Sequence, residues 1–413
     1  MSENNEVKEP LNKNNKVPKL RFDKFKNDNF NCDILSQIAT LSKGNGLSKD
    51  DLSPDGNKCI LYGELYTRYL GYIDTIISKT KTILSNPKLS KSGDIIMPLS
   101  GETPTDISNS AVVPEDNVIL GGDLLVITPK KNIDPLFLSL YLSNCKKKEI
   151  AKKSCGISII HSHKEDIAKL TIYYPSLAEQ YYISTFLKKL TKKIDIVLKK
   201  IDVLKKYKKG IKKYVMKDTI KFWKTGIGNA IELKKYLIEK NEYCVKNGLY
   251  PHITLSTEGI TDKSERYDRD FLVKNEDKKY KITHLTQLCY NPANLKFGVI
   301  CINKYGNGIF SPIYSTFDIN NIVIDYLELI ITSNDFINYS MKYQQGTVFE
   351  RMSVSSDDLC KIKIVTISFD EQQKIAKVAD TLNKKISKLE DELLSLKHLK
   401  STLLNDMFIW TYV

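Results

Sequence analysis

The chain has 413 residues, 41% hydrophobic and 27% charged, the profile of a globular protein with two or three cored domains. A net charge of +14 points to a polyanionic partner. No apolar run approaches the roughly 18–20 residues needed to span a bilayer, which excludes a membrane-spanning reading.

The N-terminal MSENNEVKEPLNKNNKVPKL has no apolar core, so it is not a secretory signal, and residues 1–19 read as a disordered polar tail. Eight scattered cysteines (Cys32, Cys59, Cys145, Cys155, Cys244, Cys289, Cys301 and Cys360) form no C-x-x-C pair. They read as reduced thiols of a cytoplasmic protein. CILYGELYT (59–67) and GDIIMPLSG (93–101) read as short buried strands followed by turns. The stretch 134–156 reads as one amphipathic helix ended by Gly156. The strand IAKLTIYYP then leads into a long helix at 179–216. After the glycine-bearing linker KTGIGNA (224–230) the order returns: PHITLSTEG (251–259), LTQLCYNPA (285–293), a helix over 325–346 ended by Gly346, the strand LCKIKIVTI, and a second long helix at 371–408.

The two long helices align at an offset of 192 with ten identities, among them Glu179/Glu371, Gln180/Gln372, Ile183/Ile375 and Lys208/Lys400. Apolar residues step by four and three, as in a coiled-coil seam. They fall at Ile183, Leu187, Leu190, Ile194, Val197, Ile201, Leu204, Ile211 and Val215 in the first helix. In the second they fall at Ile375, Ala379, Leu382, Ile386, Leu389, Leu393, Leu396, Leu403 and Met407. Lys208 and Lys400 break the seam at matching places. Residues 176–217 carry a net +10, whereas 369–408 are neutral, so two unlike helices are able to pair electrostatically.

The whole chain thus reads as an internal repeat: globular, helix, globular, helix, with segments at 20–175, 176–220, 226–367 and 368–410. The fold class is α/β, or mixed α+β, with two long antiparallel coiled-coil helices. A repeated frame with unlike loops fits two sites of one kind reading two different things.

Catalytic and metal motifs are missing. There is no phosphate-binding loop and no G-x-G-x-x-G after a strand. Tyr290-Asn291-Pro292-Ala293 has part of an N-P-P-[YF] base-holding motif but reads as a strand-ending turn. Glu276-Asp277-Lys278 has the E-x-K form of a nuclease site by chance. His161 and His163 have no third ligand nearby. Gly44-Asn45-Gly46, Gly121-Gly122 and Gly306-Asn307-Gly308 read as turns. The reading is a binding protein without catalytic residues, metal or cofactor of its own.

VPKLRFDKF (17–25), PSLAEQYYI (175–183), SFDEQQKIA (368–376), the helix ends KKGIKKYVM and KSTLLNDMF, and YGELYT with GDIIMPLSGETPTDI together resemble the specificity subunit of type I restriction–modification enzymes. The resemblance covers residues 17–410. It implies that 20–175 and 226–367 are target recognition domains, each binding half of a bipartite double-stranded DNA sequence. It implies that the antiparallel helices act as a ruler between them; one of about 36 residues is about 54 Å long. It also implies docking of two modification subunits, which carry S-adenosylmethionine and methylate adenine, and of two motor-nuclease restriction subunits. The seam and partner residues are then Ile183, Leu187, Leu190, Ile194, Ile201, Leu204, Ile375, Leu382, Ile386, Leu389, Leu393 and Leu396.

Candidate DNA contacts are polar loop residues able to reach phosphates or base edges. In the first half they are Tyr66, Thr67, Arg68, Ser100, Glu102, Thr103, Ser158 and His161. In the second they are Thr257, Lys263, Arg266, Arg269, Asn294, Lys296, Thr347 and Arg351. Two readings stand beside this one: a modification-only system without nuclease, and a coiled-coil adaptor that binds no DNA.

Overall fold

The computed structural model describes residues 17–410 apart from 70, 155, 157–159, 246–248, 264–278 and 347–351. Its contacts divide the chain into two compact units, Met1–Ile196 with Leu393–Val413, and Val197–Glu392.

In the first unit, strand β1 (Asn31–Ile34) is followed by β2 (Ala39–Lys43), β3 (Ile95–Pro98) and β4 (Leu124–Pro129). Strand β4 lies between β2 and β3, antiparallel to both, in a five-stranded sheet whose middle strand is β3. Its run Leu124–Ile127 is buried on both faces, so it is continuously apolar rather than alternating. The single helix expected over 134–156 is in fact two, α1 (Pro135–Asn144) and α2 (Lys147–Lys153). Asp134 caps α1 by accepting the Phe137 N–H at 2.7 Å, with Pro135 at the first helical position. At its other end the N–H groups of Cys145 and Lys146 both turn to the Tyr141 carbonyl, which closes α1 before α2 begins. Strand β5 (Thr171–Tyr174) pairs antiparallel with β1 and leads into α3 (Leu177–Thr225).

The second unit repeats this order. Strand β6 (Ile231–Glu232), β7 (Leu237–Lys240), β8 (Leu288–Tyr290) and β9 (Ser315–Ile319) are followed by α4 (Ile324–Ile331) and α5 (Asn334–Ser340). Here too the one helix expected over 325–346 is broken, because Ser333 caps a new start by accepting the Phe336 N–H. Strand β9 lies between β7 and β8, as β4 lies between β2 and β3. Strand β10 (Lys363–Ile364) pairs with β6 as β5 pairs with β1, then α6 (Phe369–Met407) begins.

Each long helix belongs to both units. The first unit holds the start of α3 and the end of α6, and the second holds the end of α3 and the start of α6. Helix α3 runs to Thr225, five residues past the expected end at 220. Within each unit the two segments pack antiparallel. In the first, Ile183, Leu187 and Leu190 share a core with Leu403, Leu404 and Met407. In the second, Lys205 meets Glu390 at 2.7 Å, and Ile375 and Ala379 pack in one core with Ile211 and Val215.

The seam residues Ile183, Leu187, Ile194, Ile201, Leu382 and Ile386 are buried, whereas Leu190, Leu204, Ile375, Leu389, Leu393 and Leu396 are half-buried. The seam lysines are desolvated, which lowers the ammonium pKa of Lys208 and of Lys400. Asp195 partly offsets this at Lys400, and Glu328 at Lys208. The seam is anchored to the globular cores by aromatic contacts. Phe137 stacks on Phe408 at 5.2 Å in the first unit, and Trp223 lies flat on Tyr339 at 3.8 Å in the second.

Two glycine turns meet in the first unit. A Cβ on Gly44 would lie 1.9 Å from the Gly121 carbonyl oxygen, so only glycine permits that backbone approach.

Candidate nucleic-acid interface

The candidate residues of the first unit gather around two loops. Glu64–Thr67 forms one helical turn, and its buried Glu64 accepts from the Leu61 N–H at 2.9 Å and from Ser78 Oγ at 2.7 Å. This fixes the turn that presents Tyr66, Thr67 and Arg68. The Thr67 hydroxyl is used internally, donating to the Gly63 carbonyl. Arg68 is exposed and only loosely held by Glu64 at 3.6 Å, so its guanidinium has free donors for an anion. Tyr66 is half-buried; burial raises its phenol pKa, with Tyr62, Glu102 and Asp106 adding to the effect.

Glu102 and Thr103 are exposed, and Asp106 orders their turn by accepting from the Thr103 N–H at 2.8 Å. Ser100 and His161 are brought together across a short antiparallel strand pair. The Ser100 hydroxyl donates to Asp123 Oδ2 at 3.0 Å and lies 2.9 Å from His161 Nδ1. A hydroxyl has one hydrogen, so with it given to Asp123 the imidazole donates from Nδ1. Ser100 itself is buried, and the exposed groups of the cluster are His161 and Asp123. Asp123, in the left-handed region at φ 57°, escaped the sequence reading. Its position after the Gly121-Gly122 turn was the only signal. Ser158 lies outside the described residues.

The second unit gathers less. Thr257 is exposed at the tip between the paired strands Ile253–Ser256 and Gly259–Asp262. Lys263 follows them, its N–H given to the His252 carbonyl. Asn294 is exposed, and Lys296 extends over the Phe297 ring at 5.1 Å from its centroid. Arg266, Arg269, Thr347 and Arg351 lie outside the described residues, as does Glu276-Asp277-Lys278. Asn291 holds the strand-ending turn expected at 290–293, accepting from the Ala293 and Asn294 N–H groups.

A polar edge in the second unit was missed. His284 contacts Glu242 at 3.1 Å and Asn307 at 3.0 Å, and hydrogen bonds to both raise its pKa. Lys281 donates to Asn241 at 2.7 Å, and Lys240 pairs with Asp318 at 3.0 Å. No repeat or motif marks these positions.

Residues 27–206 match the family described as the type I restriction modification DNA specificity domain. The loops of Tyr66, Glu102 and His161 lie within the matched stretch. Among solved structures, the S subunit of a type I restriction–modification system from M. genitalium is similar over 96% of this chain and 100% of its own. The TM-score is 0.64 at 17% identity, so that likeness is one of fold, and it includes the second half. The HsdS subunit from Thermoanaerobacter tengcongensis aligns over 92% of this chain and 96% of its own, at 14% identity and a TM-score of 0.40. No curated protein matches the sequence. Among the described residues, no helix is long and apolar enough to cross a membrane.

Proposed function

We propose that the chain is the DNA-recognition subunit of a type I restriction–modification complex, and that each globular half reads one half of a bipartite target. The observation that carries this reading is the repeat itself. Two units share one element order and one central strand arrangement, yet present unlike loops. Residues 20–175 and 226–367 are the two recognition domains of this proposal. Helices α3 and α6, at 1.5 Å per residue about 74 and 58 Å long, set the gap between half-sites. They also offer like surfaces to two modification subunits, which bring S-adenosylmethionine and methylate adenine; two restriction subunits complete the complex. The chain itself supplies binding rather than chemistry, and it works in the cytoplasm.

Mapping methylated adenines in the source genome, with and without this reading frame, tests the proposal. Loss of one two-part motif with a fixed gap supports it and supplies the target. Inserting four residues in register into both helices lengthens them by about 6 Å and is expected to widen the gap by one or two base pairs. An unchanged gap would remove the ruler role.

A further inference from the structure

In the first unit a cavity of about 170 Å³ opens between α1, the start of α3 and the end of α6. Three lysines line it, Lys147 from α2, Lys188 from α3 and Lys400 from α6. Among the described residues no carboxylate lines it. Lys188 lies over the Tyr72 ring at 4.5 Å, and the Tyr72 hydroxyl donates to Asp74 at 3.2 Å. Lys400 is desolvated, and Asp195 offsets this only in part. Like charges gathered in a half-closed space repel, and desolvation adds to the cost. An anion among them relieves both.

The second unit supplies such anions from its own side chains. Gln180 and Gln372 accept the N–H groups of Asp134 and Val323, the residues that precede α1 and α4. These two helices therefore align at an offset of 189, which matches Leu136 and Ser139 of α1 to Asp325 and Glu328 of α4. The two acids hold Lys304 at 3.3 and 2.6 Å. Glu328 also acts on Lys208, the mate of Lys400, and on Lys212. On the long helices, where the offset is 192, Lys188 matches Asp380. The second unit thus carries carboxylates where the first carries a leucine, a serine and a lysine.

We propose that this cavity of the first unit binds a free oxyanion of the phosphate class, which stands in for the carboxylates that the second unit supplies. The ammonium groups of Lys147, Lys188 and Lys400 hold it as point charges. The volume admits one tetrahedral oxyanion with water. A doubly charged anion also matches the two acids that α1 lacks relative to α4. The inference goes beyond DNA recognition and does not depend on it.

The test titrates the full chain with inorganic phosphate by isothermal calorimetry, with sodium chloride holding the ionic strength constant. Saturable binding of one phosphate per chain is expected. Lys400→Met and Lys147→Gln are each expected to weaken it at least tenfold, while Lys208→Met, the matching change in the second unit, leaves it unchanged. Lys147 is only half-buried, so its variant keeps the test open should Lys400→Met fail to fold. Leu136→Asp restores the acid found in the second unit and is expected to abolish phosphate binding, whereas Leu136→Asn retains it. An absence of saturable binding overturns the proposal. So does binding that survives both lysine changes, because the anion would then sit elsewhere on the basic surface. Displacement of bound phosphate by a short DNA duplex also overturns it, because the cavity would then belong to a DNA interface.

Discussion

The guanidinium of Arg21 makes two hydrogen bonds to the carboxylate of Glu179, and both side chains are buried, at 6% and 1% exposure. Removing one partner leaves an uncompensated buried charge, which costs roughly 3–5 kcal/mol. Arg21→Ala is therefore expected to lower stability by that amount in urea unfolding, and Arg21→Met with Glu179→Gln to recover most of it. Glu371, the repeat mate, is exposed and bonds Ser368, so Glu371→Gln is expected to cost far less than Arg21→Ala. Equal losses at Glu179 and Glu371 would contradict this asymmetry.

Gln180 and Gln372 make the same bonds in the two units. The Oε1 of each accepts a backbone N–H ahead of the first helix after the sheet, from Asp134 at 2.9 Å and from Val323 at 3.0 Å. The Nε2 of each donates to a carbonyl just before its own long helix, Pro175 and Ile367, both at 2.9 Å. Each glutamine thus ties its long helix to the globular domain that precedes it. Gln180→Leu and Gln372→Leu are each expected to cost about 1–3 kcal/mol by stranding a buried amide. Hydrogen exchange should accelerate at Asp134 in the first variant and at Val323 in the second, and not the reverse.

The repeat and its helices were legible because seam positions such as Leu187 and Leu382 recur at a spacing that only a long helix satisfies. The breaks after Asn144 and Ile331 were not, since they depend on which carbonyl accepts the last N–H and on Ser333 acting as a cap, and periodicity alone passes over them. Clustering of Ser100 with His161 was half legible. Both were candidates as polar loop residues, but their pairing needs a strand contact 61 positions apart, and Asp123 enters only through that fold.

Burial along the helices predicts an uneven cost of truncation. Leu187 is fully buried and Leu382 nearly so, so each change to alanine is expected to cost about 2–5 kcal/mol. Leu396 and Leu204 are half-buried, and their alanine variants are expected to fall below that range. Urea midpoints of the four variants check the order; a larger loss at Leu396 than at Leu187 would mean that the seam is packed differently.

His284 gives a pH dependence. Its hydrogen bonds to Glu242 and then Asn307 raise its pKa above 6.5. A raised histidine contributes stability in full below its unfolded pKa and loses it as pH rises through the folded value. The pair is more than a third exposed, so solvent screening limits the effect to a few tenths of a kcal/mol, roughly 0.2–1. The difference in melting temperature between the native chain and His284→Gln is expected to be larger at pH 5.5 than at pH 8. A difference that grows with pH would show that the neutral imidazole is the stabilising form.

Arg68 is exposed at the end of the Glu64–Thr67 turn, and salt dependence tests its proposed DNA contact. If it contacts a phosphate, Arg68→Ala in the assembled complex weakens all sequences alike. It then reduces the slope of log affinity against log salt by about 0.9. If it forks onto a guanine edge, the salt slope changes less, and discrimination at one base pair of one half-site falls by about 1–3 kcal/mol. Its loose hold on Glu64, at 3.6 Å and beside a helical turn anchored by the Leu61 N–H, leaves the guanidinium free to form a fork. We expect the second outcome, confined to a single half-site, because on the proposed reading the other half-site is met by loops that share the same frame and not its residues. Measuring affinity for every single-base variant of the mapped target at two salt concentrations separates the two, and an unchanged profile would exclude Arg68 from the interface.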